Sequence, residues 1–406
     1  MSDKDICARS GSLTQLSFKD DKSWAAAFAA LILTIFLMNI GQGLQDRLGI
    51  PQFLFPLAAS PLLLKRLVPC LSSLQRRSIL PVLLPLLAIF GLWLGQSLLF
   101  PKLGFWFNSV VLSHLLTVYP LYVCVAMIRD SSTILESLTG VSRLVSVVTL
   151  ALLIVFRGHF FNAYSMGFSF TLILPTNLLL YRLFKLTTEK RGRTLLLVCS
   201  NVIAIALWGS RGSLVSIFAF LISMLICAPV SKKSGYLAKI VILMILIFSL
   251  FNYGEIMSAI SRLASTFGLS SRTLELLAND LFYDSGRSEI WNSVWNSFVN
   301  DPIAVRGICS TYPLVGGYSH SFILDILHDF GSVIGLPLLL CIAVCMKKTF
   351  HSKMLSDCCN VPKTLFFFST FPLLFWSASI WTMPYFWCWI ASMFKGSLYE
   401  NPSFTH

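Results

Sequence analysis

The sequence predicts an all-α polytopic membrane protein with about 12 transmembrane helices, both termini cytoplasmic and one long extracytoplasmic loop between helices nine and ten. Three observations carry this. Of 406 residues, 56% are hydrophobic and 12% charged, about half the charged share of a soluble domain (about 25%). The apolar residues are gathered into runs of roughly membrane-spanning length. Lys and Arg fall on alternate loops.

Taken in order, the runs are 24–41, 48–64, 79–100, 104–128, 142–156, 160–181, 194–209, 212–229, 238–252, 321–346, 364–380 and 382–394. The second and the last are short for a crossing, which needs about 20 residues unless it is irregular. The last two share one uncharged stretch, too long for a single untilted helix. Pro384 offers the turn of a hairpin there. The resulting order is a cytoplasmic tail (1–23), nine helices (24–252), an extracytoplasmic segment (253–320), three helices (321–394) and a second tail (395–406).

Charge tests that order. With a cytoplasmic N-terminus, the outer segments hold only Arg47, Lys102, Arg157, Arg211, Arg262, Arg272, Arg287 and Arg306 of the 31 basic residues. The rest lie inside, and acidic residues divide evenly. This positive-inside distribution accounts for the net charge of +13 without a nucleic-acid partner. Most of the 11 cysteines lie within apolar runs, and only Cys309 falls in the long polar loop, so no disulfide closes there. The first 23 residues are polar and of mixed charge, unlike a cleaved signal peptide.

The longest polar interruption, Asp284 to Gly335, is where chemistry is expected. Ile290, Trp291, Val294, Trp295, Phe298 and Val299 recur at one-face helical spacing. Asp284 or Ser285 can cap this helix, and Asp301-Pro302 ends it. Arg287 sits one turn before Trp291, at the edge of the stripe. His320 stands where the polar loop enters an apolar run. Asp325 and Asp329 share a helix face with Ser321, which suits orienting neighbouring donors better than holding a metal. Arg211 lies between two runs, flanked by Gly209, Ser210, Gly212 and Ser213. Small residues and a helix N-terminus suit an anion there, and a guanidinium matches phosphate oxygens bidentately. A snorkelling interfacial arginine is the alternative. Arg157, followed by Asn162, is a similar case. Arg287 read alone is a surface ion-pair partner of Glu289 or Asp284, and His320 an interfacial histidine.

Together these pieces resemble the O-antigen polymerase and O-antigen ligase superfamily of bacterial envelope proteins. The matching residues are Gly209-Ser210-Arg211-Gly212-Ser213, then Gly286-Arg287 with Trp291 and Asp301-Pro302. After them come Tyr318-Ser319-His320-Ser321, Leu324-Asp325, Phe330-Gly331 and Gly335. They span roughly the C-terminal half, in the family's order. Ser321 stands where the family usually has Asn, and Asp325 where it often has Glu.

The resemblance implies a glycosyltransferase of the bacterial inner membrane whose donor is an undecaprenyl-diphosphate-linked oligosaccharide, with no cofactor and no metal. Arg211 and Arg287 would hold the diphosphate, with Arg157 as a third cation. His320 would act as general base on the acceptor hydroxyl or orient it, and Asp325, Ser321, Asn162 and Trp291 would support. A chain-length regulator and a flippase are the expected protein partners, with membrane lipid around them. The Arg306 to Leu327 segment is more similar to polymerases, which transfer onto a lipid-linked repeat, than to ligases, which transfer onto lipid A-core. A transporter or flippase is the rival of another class, but such proteins are usually built of repeated halves, and neither motif recurs.

Overall fold

The computed structural model describes residues 15–52, 54–74, 79–156, 160–161, 165–185, 188–227, 244, 252–266, 274, 286–350, 355 and 360–399. Every regular element among them is helical. Among the described residues, eight helices are long and apolar enough to cross a membrane. They lie within α1 (Gln15–Leu48), α2 (Leu54–Leu74), α3 (Leu80–Leu99), α4 (Pro101–Met127), α5 (Ser131–Val155), α6 (Met166–Lys185), α7 (Thr188–Trp208) and α12 (Phe322–Thr349). Shorter helices complete the set: α8 (Arg211–Cys227), α9 (Tyr253–Thr266), α10 (Arg287–Asn300), α11 (Tyr312–Val315), α13 (Val361–Phe368), α14 (Phe371–Leu374) and α15 (Pro384–Tyr399). Length and composition define a polytopic helical membrane protein.

Several boundaries differ from the hydropathy reading. The chain is already helical from Gln15, and Asp20 and Asp21 are buried. Asp21 accepts the N–H groups of Arg129 (3.1 Å) and Asp130 (2.8 Å), so this segment is tied to the start of α5 rather than forming a tail. The second helix is displaced about two to three turns, running on through Lys65 and Arg66 to Leu74. These cations are exposed, and long stems carry them outward without breaking a helix. α5 begins eleven residues before the expected 142, capped by Asp130, whose carboxylate accepts the Ser132 N–H at 2.9 Å. Pro384 does open the last helix, as a first-turn proline can. The first limb of that hairpin is broken at Ser369-Thr370, and the hydroxyl of Ser216 donates to the carbonyl of Phe368 beside the break. The expected 238–252 span lies outside the described residues, except 244 and 252.

One core unites α1, the end of α4, α5–α8 and α13–α15 around Phe28, Phe36, Phe168, Phe220, Phe371 and Trp389. Polar links stitch it: Asn201 Nδ2 donates to Ser146 Oγ (2.8 Å) and Thr176 Oγ1 (3.1 Å), and Asn177 Nδ2 to Ser369 Oγ (3.2 Å). α2 and α3 instead turn most of their leucines outward, where lipid would cover them.

The element that positions the polar loop is a kink in α12. Gly331 adopts φ 65°, ψ 177°, a conformation essentially confined to glycine. The interrupted helix there exchanges hydrogen bonds with the loop: the Asp329 carbonyl accepts the N–H groups of Arg306 and Gly307, both at 3.0 Å. In return, Ser332 N–H donates to Pro302 O at 2.7 Å. A Cβ on Gly331 would lie 2.6 Å from the Ile303 carbonyl oxygen. Gly331→Ala is therefore expected to destabilise by about 1–3 kcal/mol from backbone strain alone, with the overlap adding to it. Thermal unfolding of the purified protein checks this. Gly140→Ala, at a helical position with open space around it, should leave the transition unchanged or raise it slightly.

Candidate functional site at the polar loop

α10 starts at Gly286, which occupies the N-cap position with φ 82° and makes no side-chain cap. The cap therefore falls one residue beyond Asp284 and Ser285, on a residue that tolerates a left-handed backbone. Asp301 ends the helix as its C-cap. Of the apolar stripe, Val294 and Phe298 are buried, while Trp295 and Val299 are 47% and 52% exposed. The helix thus packs by one edge and keeps an apolar edge outward, suited to lying at a membrane surface.

Trp291 fixes the loop that carries His320. Its indole Nε1 donates to the carbonyl of Ser319 at 2.9 Å. From the other side, Asp325 Oδ1 accepts the Ser319 N–H at 2.9 Å. Ser319 Oγ in turn donates to Ser321 O (2.9 Å) and accepts the Ser321 N–H (3.2 Å). Ser321 contributes through its backbone, as the N-cap residue of α12 without a side-chain cap. Held on both sides, His320 takes a left-handed backbone, φ 62°. Non-glycine residues rarely adopt it, and such strain persists only where the surroundings enforce it.

The imidazole of His320 is half-buried and packs edge-on against Tyr318, with ring centroids 4.5 Å apart. Its Nδ1 is buried and makes no hydrogen bond within the protein. Burial, and then the positive charge of Arg287, hold its pKa below the usual histidine value. Arg287 and His320, 33 positions apart in sequence, therefore share one electrostatic environment.

The helix start that bears Arg211 reaches the same neighbourhood through packing. Ser210 caps α8, its Oγ accepting the Ser213 N–H at 3.2 Å, within a hydroxyl cluster that includes Ser169. The flanking glycines serve close helix approach. A Cβ on Gly209 would lie 2.4 Å from Ser169 Cβ, and one on Gly212 would lie 2.9 Å from Ser377 Oγ. The small residues around Arg211 are thus occupied by protein neighbours. Ser377 also accepts the Tyr318 hydroxyl on its carbonyl at 2.8 Å, and the Trp376 ring stands 5.8 Å from that of Trp291. Trp376-Ser377 is the joint at which the start of α8, the Tyr318–His320 turn and α10 converge. An unremarked position in an apolar hairpin, it carries no sequence signal.

Asp329 lies on the same helix face as Asp325 but serves a different part of the loop. Its Oδ1 accepts the N–H (3.1 Å) and hydroxyl (2.7 Å) of Ser310. His328 bonds Ser310 Oγ through Nδ1 (2.7 Å) and Ser297 Oγ through Nε2 (3.0 Å). Arg306 is committed to the carbonyls of Ser297 (2.9 Å), Asp301 (2.8 Å) and Ala304 (3.3 Å), a structural clamp. Arg157 and Asn162 lie outside the described residues. Among the described residues, no three His, Cys, Asp or Glu side chains gather as a metal site.

Compared with known proteins, the chain matches no family model, no curated protein and no solved structure.

Cys309 is 4% exposed and has φ 69°. Burial, with the Asp329 and Asp325 carboxylates next, pushes its thiol up to about 12. Thiolate is the reactive form, so Cys309 should resist iodoacetamide at pH 8 in the folded protein and react on denaturation. Peptide mapping of the alkylated cysteines reads this directly, and prompt labelling of Cys309 in the native protein would contradict its burial.

Proposed function

We propose that the chain is a membrane glycosyltransferase acting on a polyprenyl-diphosphate-linked glycan, and specifically a polymerase of O-antigen-type repeat units in a bacterial inner membrane. The observation that carries this reading is the convergence at Trp376-Ser377. There Trp376 packs against Trp291 of α10, Ser377 takes the Tyr318 hydroxyl beside His320, and Gly212, next to Arg211, packs against Ser377, which supports one centre beside the polar loop. The reading takes 12 crossings, both termini in the cytoplasm and the 253–320 segment outside, following the charge alternation.

In this mechanism Arg211 and Arg287 bind the donor diphosphate, fixing positive charge where negative charge develops. The acceptor hydroxyl oxygen bonds to the anomeric carbon as the carbon–oxygen bond to the diphosphate breaks, its electron pair leaving with the phosphate. His320 receives the hydroxyl proton and later releases it. A diphosphate leaves without protonation, so a second catalytic carboxylic acid is unnecessary. Burial and Arg287 favour the neutral imidazole, which is the form a base requires. Asp325 and Trp291 act by positioning His320 through Ser319. The closer resemblance of the Arg306–Leu327 segment to polymerases favours a lipid-linked repeat over lipid A-core as acceptor.

The test is transfer by the purified full chain from a synthetic polyprenyl-diphosphate glycan. Arg211→Ala and Arg287→Ala should abolish transfer in folded protein, and Lys should rescue each only partly because it lacks the bidentate fork. His320→Ala should lower turnover by about 10²–10⁴-fold while donor binding persists. His320→Gln separates orientation from base catalysis. Wild-type kcat/KM should be flat through neutral pH and fall only as pH drops below about 6.5, since the free imidazole's pKa is lowered. Near-normal transfer in both arginine variants would overturn the assignment.

A further inference from the structure

A cavity of about 720 Å³ lies away from Arg287 and His320, between the turn joining α3 to α4 and the far end of α10. Ser297, at its wall, is ten residues along α10 from Arg287, or about 15 Å at 1.5 Å per residue. Leu99, Phe100, Leu103 and Trp106 form one side, and Pro313 and Leu314 another. The polar end is built from Ser297, Ser310 and His328, linked by the hydrogen bonds described above. One hydroxyl proton sets their order. Ser310 Oγ–H is given to Asp329, so His328 Nδ1–H donates to Ser310, and a neutral ring accepts Ser297 O–H at Nε2.

The exposed cation of this cavity is Lys102. Arg306 also lines it, but that guanidinium is held by three carbonyls. Lys102 is exposed, in the first turn of α4 just after the end of α3. Around it Leu98, Leu99 and Phe105 are 72%, 73% and 82% exposed, more apolar surface than water would leave uncovered. The cavity therefore opens beside surface suited to lipid, with apolar walls, a lysine at the rim and hydroxyls at one end.

We propose that it holds one anionic phospholipid of the surrounding bilayer, with its phosphate on Lys102, headgroup hydroxyls toward Ser297 and His328, and an acyl chain along Leu99–Trp106. The proposal does not rest on the transfer reading. The experiment is native mass spectrometry of the full chain, washed in detergent and titrated with phosphatidylglycerol, phosphatidylcholine or polyprenyl phosphate. One saturable phosphatidylglycerol is expected, with phosphatidylcholine several-fold weaker. Lys102→Ala should weaken binding roughly fivefold, the worth of one lysine charge at an anionic lipid surface. Leu314→Trp, which fills the cavity without changing charge, should also weaken it, whereas Lys347→Glu at the far end of α12 should not. Equal affinity for phosphatidylcholine, tighter binding of polyprenyl phosphate that Leu314→Trp also weakens, or wild-type phosphatidylglycerol binding by either Lys102→Ala or Leu314→Trp overturns the proposal.

Discussion

Two buried carboxylates on one helix hold the polar loop in place. Asp325 grips it at Ser319 and Asp329 grips it at Ser310, each through a backbone N–H. They are four residues apart, so one face of α12 presents both. Buried polar groups favour such partners, because burying one without a hydrogen bond is unfavourable. The loop therefore gains its fixed shape where the helix gains its hydrogen bonds. The Gly331 kink extends the same exchange to backbone groups, releasing the Asp329 carbonyl to the loop. Removing either carboxylate would free one end of the loop, and with it the backbone that enforces the His320 conformation.

What the clamp delivers is proximity between distant parts of the chain. Arg287 opens a surface helix, His320 precedes a long apolar helix, and Arg211 begins another. Their common joint is Trp376-Ser377, in the irregular turn between α14 and α15. There a backbone carbonyl takes the Tyr318 hydroxyl, and a missing Cβ at Gly212 admits α8. Site geometry thus depends on a short break in an apolar hairpin as much as on charged residues. The cavity at the opposite end of α10 uses the other half of the loop, so one segment, 301–320, serves both places.

The helical membrane class was legible because hydropathy and charge are averages over long windows. The start of α12 and the end of α10 were legible because a polar-to-apolar step and Asp301-Pro302 act locally. Boundaries at Gln15, Leu74 and Ser131 were not, since polar residues continue a helix wherever partners or long stems accommodate them. The loop residues around His320 were legible as a motif. The roles within it were not: Ser321 acts by its backbone, and the glycines beside Arg211 fit helices together rather than leaving room. His328 lacked a signal because its partners, Ser297 and Ser310, lie 31 and 18 positions away. Hydrogen bonds of that separation are set by tertiary packing, and spacing along the chain carries no trace of them.

The central claim is that one diphosphate-binding centre forms where Arg287, His320 and the start of α8 converge. An experimental structure of the full chain with a bound polyprenyl diphosphate tests it most directly. The account predicts the diphosphate between Arg211 and Arg287, beside His320 and under Trp376. A diphosphate seated instead at Lys102 and His328, or on neither arginine, would contradict it.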